Sequence, residues 1–574
     1  MTVAVSILPE QQLAVLNEAY RRAVARKRLR LTLATAVFFA ALVVASIGAE
    51  VNLRTFFTYF GNFVGYFDRI FTLENGARVW TDIGEWFWGW RKWLSMLGET
   101  ILISYVGTLF GAILAFLLNF FAAENTSPAP WLRFLVRRVL EFSRTVPGIV
   151  FALIFVIAFG LGPMAGVLAI AIHSTGALGK LFSEIVENAD MKPVEGVRST
   201  GASWVSCMRF AVLPQVAAGY ASYALLRFEI NVREASVMGF VGAGGIGQEL
   251  VVAVRKFYYS DVSAILLLSH RVRHRYRHRL DARPVVRQGC AGMTQLRTPD
   301  SEALRARYPL VFNRPVSARL ATPVMMFGAF GIFVFGLVDL DFSPARLFSG
   351  LHQLGWITLM MIPPDPGSSL PAYLVALGET LSIALLGTTI AAVFALPISL
   401  LAAKNIVPSK IFRFPVRRFL DSIRGVDTLI WALVWINVVG LGPFAGVLAI
   451  AVSDFGAFGK LFSEAIEAAD KKQVEGIRAS GGNALHEIRF GLMPQVLPVI
   501  AGQVLYFIES NTRSATIIGI VGAGGIGLQL AEQIRVLEWQ KVSFLILMIL
   551  VAVAAIDWIS GKLRFAIIGR RAVS

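Results

Sequence analysis

Long apolar stretches alternate along this chain with short polar segments rich in Arg and Lys. A helix that crosses a bilayer needs about 20 mostly apolar residues. The pattern predicts spans near Leu31–Ala49, Thr100–Phe121, Val146–Gly160, Ala165–Leu181 and Val216–Phe240 in the first half. It predicts a matching set near Ala321–Leu340, Thr380–Ala402, Leu429–Gly440, Ala445–Leu461 and Leu497–Ile520, then a sixth span at Val542–Ile559. The expected fold class is therefore all-α, a polytopic membrane protein.

The two sets match because the sequence repeats. Gly98-Glu99-Thr100 returns as Gly378-Glu379-Thr380, and Gly160-Leu161-Gly162-Pro163 as Gly440-Leu441-Gly442-Pro443. Gly179-Lys180-Leu181-Phe182-Ser183-Glu184 returns as Gly459-Lys460-Leu461-Phe462-Ser463-Glu464, again 280 positions later and without a gap. That period is far too long for a solenoid. It implies a tandem duplication of a five-to-six-span domain, with copy one at 1–292 (core 95–250) and copy two at 293–574 (core 375–530).

Composition agrees. Charged residues are 16% of the chain and mean hydropathy is +0.64, whereas soluble domains carry about 25% charged residues. The two cysteines, Cys207 and Cys290, cannot alone form a disulfide framework or a four-ligand metal site. No metal or cofactor is expected. The net charge of +17 would suit nucleic acid. Its Lys and Arg, however, flank apolar runs, so the partner they imply is the lipid bilayer and not nucleic acid. The basic, amphipathic Met1–Arg30 segment precedes the first span and does not read as a cleavable signal peptide.

The basic segments set the orientation. Arg22, Arg26, Lys27, Arg28 and Arg30 predict a cytoplasmic N-terminus. The next cytoplasmic loop should hold Arg133, Arg137 and Arg138, matched by Lys410, Arg413, Arg417 and Arg418. The loop after the fourth span holds Lys192, Arg198 and Arg209, matched by Lys471, Lys472, Arg478 and Arg489. Trp80 to Trp93 should be periplasmic, as an aromatic belt at the interface.

That last cytoplasmic loop carries a motif. It reads Glu195-Gly196-Val197-Arg198-Ser199-Thr200-Gly201 and ends at Leu213-Pro214; its repeat reads Glu475-Gly476-Ile477-Arg478-Ala479-Ser480-Gly481 and ends at Met493-Pro494. The spacing resembles the E-A-A-x-x-x-G, nine residues, I-x-L-P signature of permeases of ATP-binding-cassette importers. Here Gly and Val or Ile replace both alanines, Ala211 or Gly491 replaces the isoleucine, and Met493 replaces a leucine. Gly-Lys-Leu-Phe-Ser-Glu, Pro-Gln after the loop, Val-Gly-Ala-Gly-Gly-Ile-Gly after the fifth span and the tract Leu16 to Arg22 further resemble phosphonate-transporter permeases. The resemblance implies a coupling helix in each loop that docks on an ABC ATPase subunit at the cytoplasmic face. It also implies a pore of two such domains, two ATPase subunits and a periplasmic substrate-binding protein. The bland alternative for the motif is an ordinary interhelical loop.

Other candidates lie in or beside the fifth spans. Glu229, Asn231 and Arg233 match Glu509, Asn511 and Arg513. Charges at membrane depth usually face a cavity or one another. Arg233 and Arg513 could ease the path of an anion, or each could simply neutralise the glutamate four residues earlier. Gly242, Gly244, Gly245 and Gly247 match Gly522, Gly524, Gly525 and Gly527. They follow a membrane helix rather than a strand, so a dinucleotide fingerprint is rejected. A periplasmic gate and a helix-capping turn remain open. The isolated His173 reads as a packing residue; its counterpart is Ser453.

The repeat breaks once. Where copy two continues apolar through Ala555-Ile556-Asp557-Trp558, copy one runs from Ser269 to Gly292 with seven arginines against one aspartate and three of the six histidines. A one-base forward shift turns His and Arg codons followed by C into codons for Ile, Thr, Val, Ala, Asp or Gly. Arg277-His278-Arg279-Leu280 can then become Ala-Ile-Asp-Trp, and Met293-Thr294 forces a stop. The expected origin is a frameshift that fused two permease genes and cost copy one its sixth span; the alternative is a genuine basic linker. Five spans would also place Arg271 to Arg319 outside and invert copy two, against the positive-inside rule.

The expectation is thus an inner-membrane permease, not an enzyme. No G-x-x-x-x-G-K-[ST] loop is present, so ATP hydrolysis falls to another subunit. The expected cargo is a small oxyanion, phosphonate first, with phosphate or phosphite as alternatives. An ion-coupled secondary transporter is the rival class, since such proteins also use internal repeats.

Overall fold

The computed structural model describes residues 10–269 and 316–568, and the regular elements among them are helices. The first half runs α1 (Glu10–Gly48), α2 (Leu53–Ile70), α3 (Trp90–Ala122), α4 (Pro130–Thr145), α5 (Gly148–Phe159), α6 (Pro163–Glu187), α7 (Lys192–Ser199), α8 (Leu213–Met238), α9 (Ile246–Arg255) and α10 (Tyr259–Ser269). The second runs α11 (Val316–Asp339), α12 (Pro344–Met360), α13 (Leu370–Ala402), α14 (Lys410–Gly425), α15 (Thr428–Val439), α16 (Pro443–Glu467), α17 (Lys471–Ala479), α18 (Met493–Gly519), α19 (Ile526–Arg535) and α20 (Trp539–Ile568). Among the described residues seven helices can cross a membrane by length and composition, or up to eleven spans if each sharply bent pair counts as one. The all-α expectation holds. The segment read as frame-shifted, beyond Ser269, lies outside the described residues.

Three expectations need correction. The spans expected at Val146–Gly160 and Leu429–Gly440 are helices of only 12 residues, α5 and α15. Each is about 18 Å long at 1.5 Å per residue, too short to cross alone. They join α4 and α14 at bends of 89° and 87°. In the first repeat Pro147 supplies the break, because it forces Val146 out of the helical region. The loops expected to hold Arg133, Arg137 and Arg138, and Lys410, Arg413, Arg417 and Arg418, are instead the amphipathic helices α4 and α14. The Trp stretch is only partly a belt. Trp93 is buried, and Trp86 donates to Ser263 Oγ at 2.9 Å, while Trp80 and Trp88 stay exposed.

The described chain forms two compact units that differ from the sequence halves. Residues 10–60, 367–530 and 553–568 make one; residues 61–269, 316–366 and 531–552 make the other. In the first, α1 packs on α13, where Gly48 brings the backbone close to Ser382. In the second, α11 packs on α3 and α12 on α5. Tyr105 there donates to Ala329 O at 2.8 Å, Phe110 meets Phe333 edge-on, and Gly350 lies flat against Phe159. Each core thus takes its outermost helix from the other half of the sequence.

Within each core the tightest pair is α3 with α6, or α13 with α16. Gly107 faces Ile170 and Val167 O, Gly111 faces Ser174, and Gly387 faces Ile450; a Cβ at any of them would fall within 3 Å of its neighbour. Small residues let membrane helices approach this closely, which replaces a hydrophobic driving force that lipid does not supply. The polar ends are fixed by arginine. Arg137 Nε donates to Ala122 O at 2.8 Å and its guanidinium pairs with Glu187; Arg417 does the same with Ala402 O (2.9 Å) and Glu467. One side chain thereby caps α3 or α13 and ties it to the end of α6 or α16.

Candidate functional site

The polar loop after α6 folds as a short helix, as does its repeat after α16. Glu195, Gly196 and Arg198 lie exposed on α7; Glu475, Gly476 and Arg478 lie exposed on α17. Nothing approaches a Cβ built at Gly196 or Gly476 within 4 Å, so this face is open. Gly201 and Gly481, at φ +80° and +83°, end the helices in the left-handed turn that favours glycine. A π-helical turn follows at Met208–Val212 and Glu487–Leu492, and Pro214 and Pro494 sit in the first turn of α8 and α18.

The loops are anchored differently. In the first, Val194 and Cys207 are buried, and Trp204 stacks on Phe121 and donates to Thr126 O at 2.8 Å. In the second, α17 has no buried residue, and Arg478 grips Glu487 with two parallel hydrogen bonds of 2.8 Å. Cys207 occupies the position of Glu487. One loop is held by apolar burial, the other by a bidentate ion pair.

In the long spans the asparagines are the best-placed members of the expected triads. Asn231 Nδ2 donates to Thr108 Oγ1 at 2.7 Å and Ser174 Oγ at 2.8 Å. Asn511 Nδ2 donates to Thr388 Oγ1 at 2.7 Å and to buried Asp454, which stands where the first repeat has Ser174. Glu509 pairs at 2.7 Å with Arg564 of α20; Glu229 and Arg513 are half-buried and Arg233 is exposed. Sequence reasoning missed a further group. Arg227 Nη2 lies 3.0 Å from Glu234, and Arg227 Nε donates to Ser174 Oγ at 3.3 Å. His173 Nδ1 lies 3.2 Å from Ser143 O, so this histidine does hold helices together. Arg227, Glu234, Asp454 and Arg564 lack a like residue in the other repeat, so the repeat signal could not find them.

The glycine turns are pinned. Gly242, Gly244 and Gly245 link α8 to α9 at positive φ, as Gly522, Gly524 and Gly525 link α18 to α19. Gly245 N donates to Glu99 at 3.2 Å and Ile246 N to Thr100 Oγ1 at 2.9 Å. Gly525 N donates to Glu379 and Ile526 N to Thr380 Oγ1, both at 2.8 Å. The repeated Gly-Glu-Thr thus caps the helix that opens on the glycines, and satisfies N–H groups that a helix start leaves without partners. Gly247 and Gly527 sit inside that first turn, where a Cβ would fall 1.9 Å from Ser236 O or Thr516 O.

Known proteins share this plan. A family model described as "Binding-protein-dependent transport system inner membrane component" matches residues 107–269 and again 395–567. The phosphate-import permease protein PhnE of Mycolicibacterium smegmatis is 34% identical over 470 residues, 81% of this chain and 84% of that protein. The putative phosphite transport system permease protein HtxC of Stutzerimonas stutzeri is 41% identical over 223 residues, 39% of this chain and 79% of its own length. The putative cryptic phosphonate transport system permease protein PhnE2 of Escherichia coli K12 is 48% identical over 118 residues, 21% of this chain and 97% of that protein. The family model falls once on each repeat, and one relative aligns across both; the chain belongs to the inner-membrane permease family of ATP-binding-cassette importers and carries its domain twice.

Proposed function

We propose that this permease imports a small phosphorus oxyanion, phosphonate in the first instance, with phosphite and phosphate as the nearest alternatives. The observation that carries the reading is the relative aligned over both repeats, whose name gives phosphate import. Phosphite and phosphonate systems supply further relatives. The ion-coupled alternative falls with family membership. ATPase subunits dock at the α7 and α17 loops through Glu195, Gly196, Arg198, Gly201 and Pro214, and through Glu475, Gly476, Arg478, Gly481 and Pro494. A periplasmic binding protein delivers the anion from the other side. Rigid-body rocking of helices, driven from the loops, opens the path alternately to each side.

Arg233 and Arg513 lower the barrier for the anion beside Glu229 and Glu509, while the buried Asn231 and Asn511 hold α8 and α18 in register with their neighbours. The eight repeated glycines, with their Glu-Thr pins, form the gate at the far end of α8 and α18. The test is uptake into proteoliposomes holding the permease, its ATPase and its binding protein. ATP-dependent uptake should be strongest for methylphosphonate, with phosphite and phosphate as competitors, and Arg→Gln at Arg233 and Arg513 should lower it without loss of assembly. Absence of ATP-dependent uptake of any phosphorus oxyanion sinks the proposal.

A further inference from the structure

Both candidate coupling loops are closed at the base by the same glutamine. Gln215 follows Pro214, and Gln495 follows Pro494. Gln215 Oε1 accepts from Asp190 N at 3.1 Å, and Gln215 Nε2 donates back to Asp190 O at 3.1 Å. Its second amide proton goes to Ala211 O at 2.8 Å. Gln495 repeats all three bonds: from Asp470 N at 3.0 Å, to Asp470 O at 3.1 Å and to Gly491 O at 2.7 Å. One carboxamide pairs with both polar groups of a single backbone residue, as a strand neighbour would, and closes a loop of 25 residues.

The clamped aspartate holds the helix. Asp190 Oδ1 accepts from Lys192 N at 3.0 Å, and Asp470 Oδ1 accepts from Lys472 N at 3.0 Å. Asp470 is the N-cap of α17, and Asp190, one residue before the N-cap of α7, accepts from that helix's first N–H, where a helix start has free N–H groups. A continuous chain of bonds therefore runs from the first turn of α8 or α18, through glutamine and aspartate, to the start of the exposed helix. The π-helical turn just before the proline holds Ala211 or Gly491, whose carbonyl accepts the third bond.

We infer that Gln215 and Gln495 are positioning residues for transport: each makes its loop helix and the span that follows one rigid lever. Without the clamp a displaced loop would flex at its two ends. With it, displacement of α7 or α17 turns α8 or α18, which carry Asn231 with Arg233 and Asn511 with Arg513. Glutamine is the side chain that fits, because the contact needs one acceptor and two donors on a planar group. A glutamate would keep the acceptor and place oxygen against Asp190 O and Ala211 O. This inference rests on the reading of these loops as the ATPase docks.

The test uses the full permease with its ATPase and binding protein in proteoliposomes. Gln215→Glu with Gln495→Glu should lower the anions imported per ATP hydrolysed about tenfold, the order expected for two hydrogen bonds lost in each loop. ATPase subunits should still co-purify. Hydrogen exchange at residues 190–192 and 470–472 should quicken, while α3 and α13 keep their protection. Gln→Met in one loop at a time gives a second arm should the double variant fail to assemble, and should give the same exchange change in that loop alone. Unchanged exchange, or transport and hydrolysis falling in equal proportion, overturns the inference. Glu195→Ala with Glu475→Ala is the control: if these variants stay fully coupled, the docking reading itself has failed.

Discussion

Glycine does opposite work at Gly196 and Gly247. Gly196 is helical, exposed and has open space where a Cβ would stand, whereas Gly247 has a carbonyl 1.9 Å from that point. Gly196→Ala should therefore stabilise α7 by about 1 kcal/mol, the helix-propensity difference. It also brings back the alanine of the importer signature, so coupling should survive. Gly247→Ala must push α9 off α8; a backbone clash of this kind belongs among substitutions that cost about 4 kcal/mol or more. Thermal unfolding of the detergent-solubilised variants separates the two, and equal melting temperatures would contradict the packing described. At this scale the sequence was legible mainly where it repeats, the unrepeated His173 being an exception. Glu195, Gly201, Asn231 and the glycine turns stood out because they occur twice. Arg227, Glu234, Asp454 and Arg564 did not, since each lies in one repeat only and meets a partner remote in the chain or across helix turns.

Elements were legible where hydrophobicity alone defines them. α3, α6, α8 and their repeats are long apolar helices, and each expected span falls within or close to one. α5 and α15 were misread because a continuous apolar run does not report a bend. What shortens them is the restriction proline places on Val146 and the Asp427 side chain, which accepts from Leu429 N and starts α15 afresh. α4 and α14 were misread as loops because their arginines were counted as charge and not as periodic pattern. Their structural role gives a prediction. Arg137 and Arg417 each serve a helix-end carbonyl and a glutamate at once, which a planar guanidinium can do and an ammonium cannot reproduce. Arg137→Lys and Arg417→Lys should each cost about 1 kcal/mol despite preserving charge, since both sites are part-exposed. Melting temperatures that do not move would show that charge alone suffices there.

At the scale of the whole molecule, the sequence repeat and the compact units do not coincide. The core built on α13, α16 and α18 has α1 on its flank, and the core built on α3, α6 and α8 has α11 and α12 on its own. Repeat analysis cannot see this, because it aligns like with like and is silent on which copy a helix packs against. The consequence is testable by cutting the chain between residues 292 and 293, where the frameshift reading expects a second start. Each half made alone lacks a helix that its core packs against and leaves Leu102, Val106 and Phe110, or Ser382, facing lipid or water instead of a fitted neighbour. Either half alone should therefore be degraded or protease-sensitive, and co-expression of both should rescue each. Cysteines at Val106 and Gly336, where a Cβ built on the glycine would fall 2.7 Å from Val106 Cγ2 in the intact chain, should then cross-link the two fragments. A stable, protease-resistant half expressed alone would mean that the exchanged helices are dispensable. Reading the nucleotide sequence from Ser269 adds an independent check on the join: if the forward-shifted frame spells an apolar segment ending in Ala-Ile-Asp-Trp and stops at Met293, the original first product carried a sixth span in place of Ser269 to Gly292, and restoring that span should strengthen the rescue of the second fragment by the first.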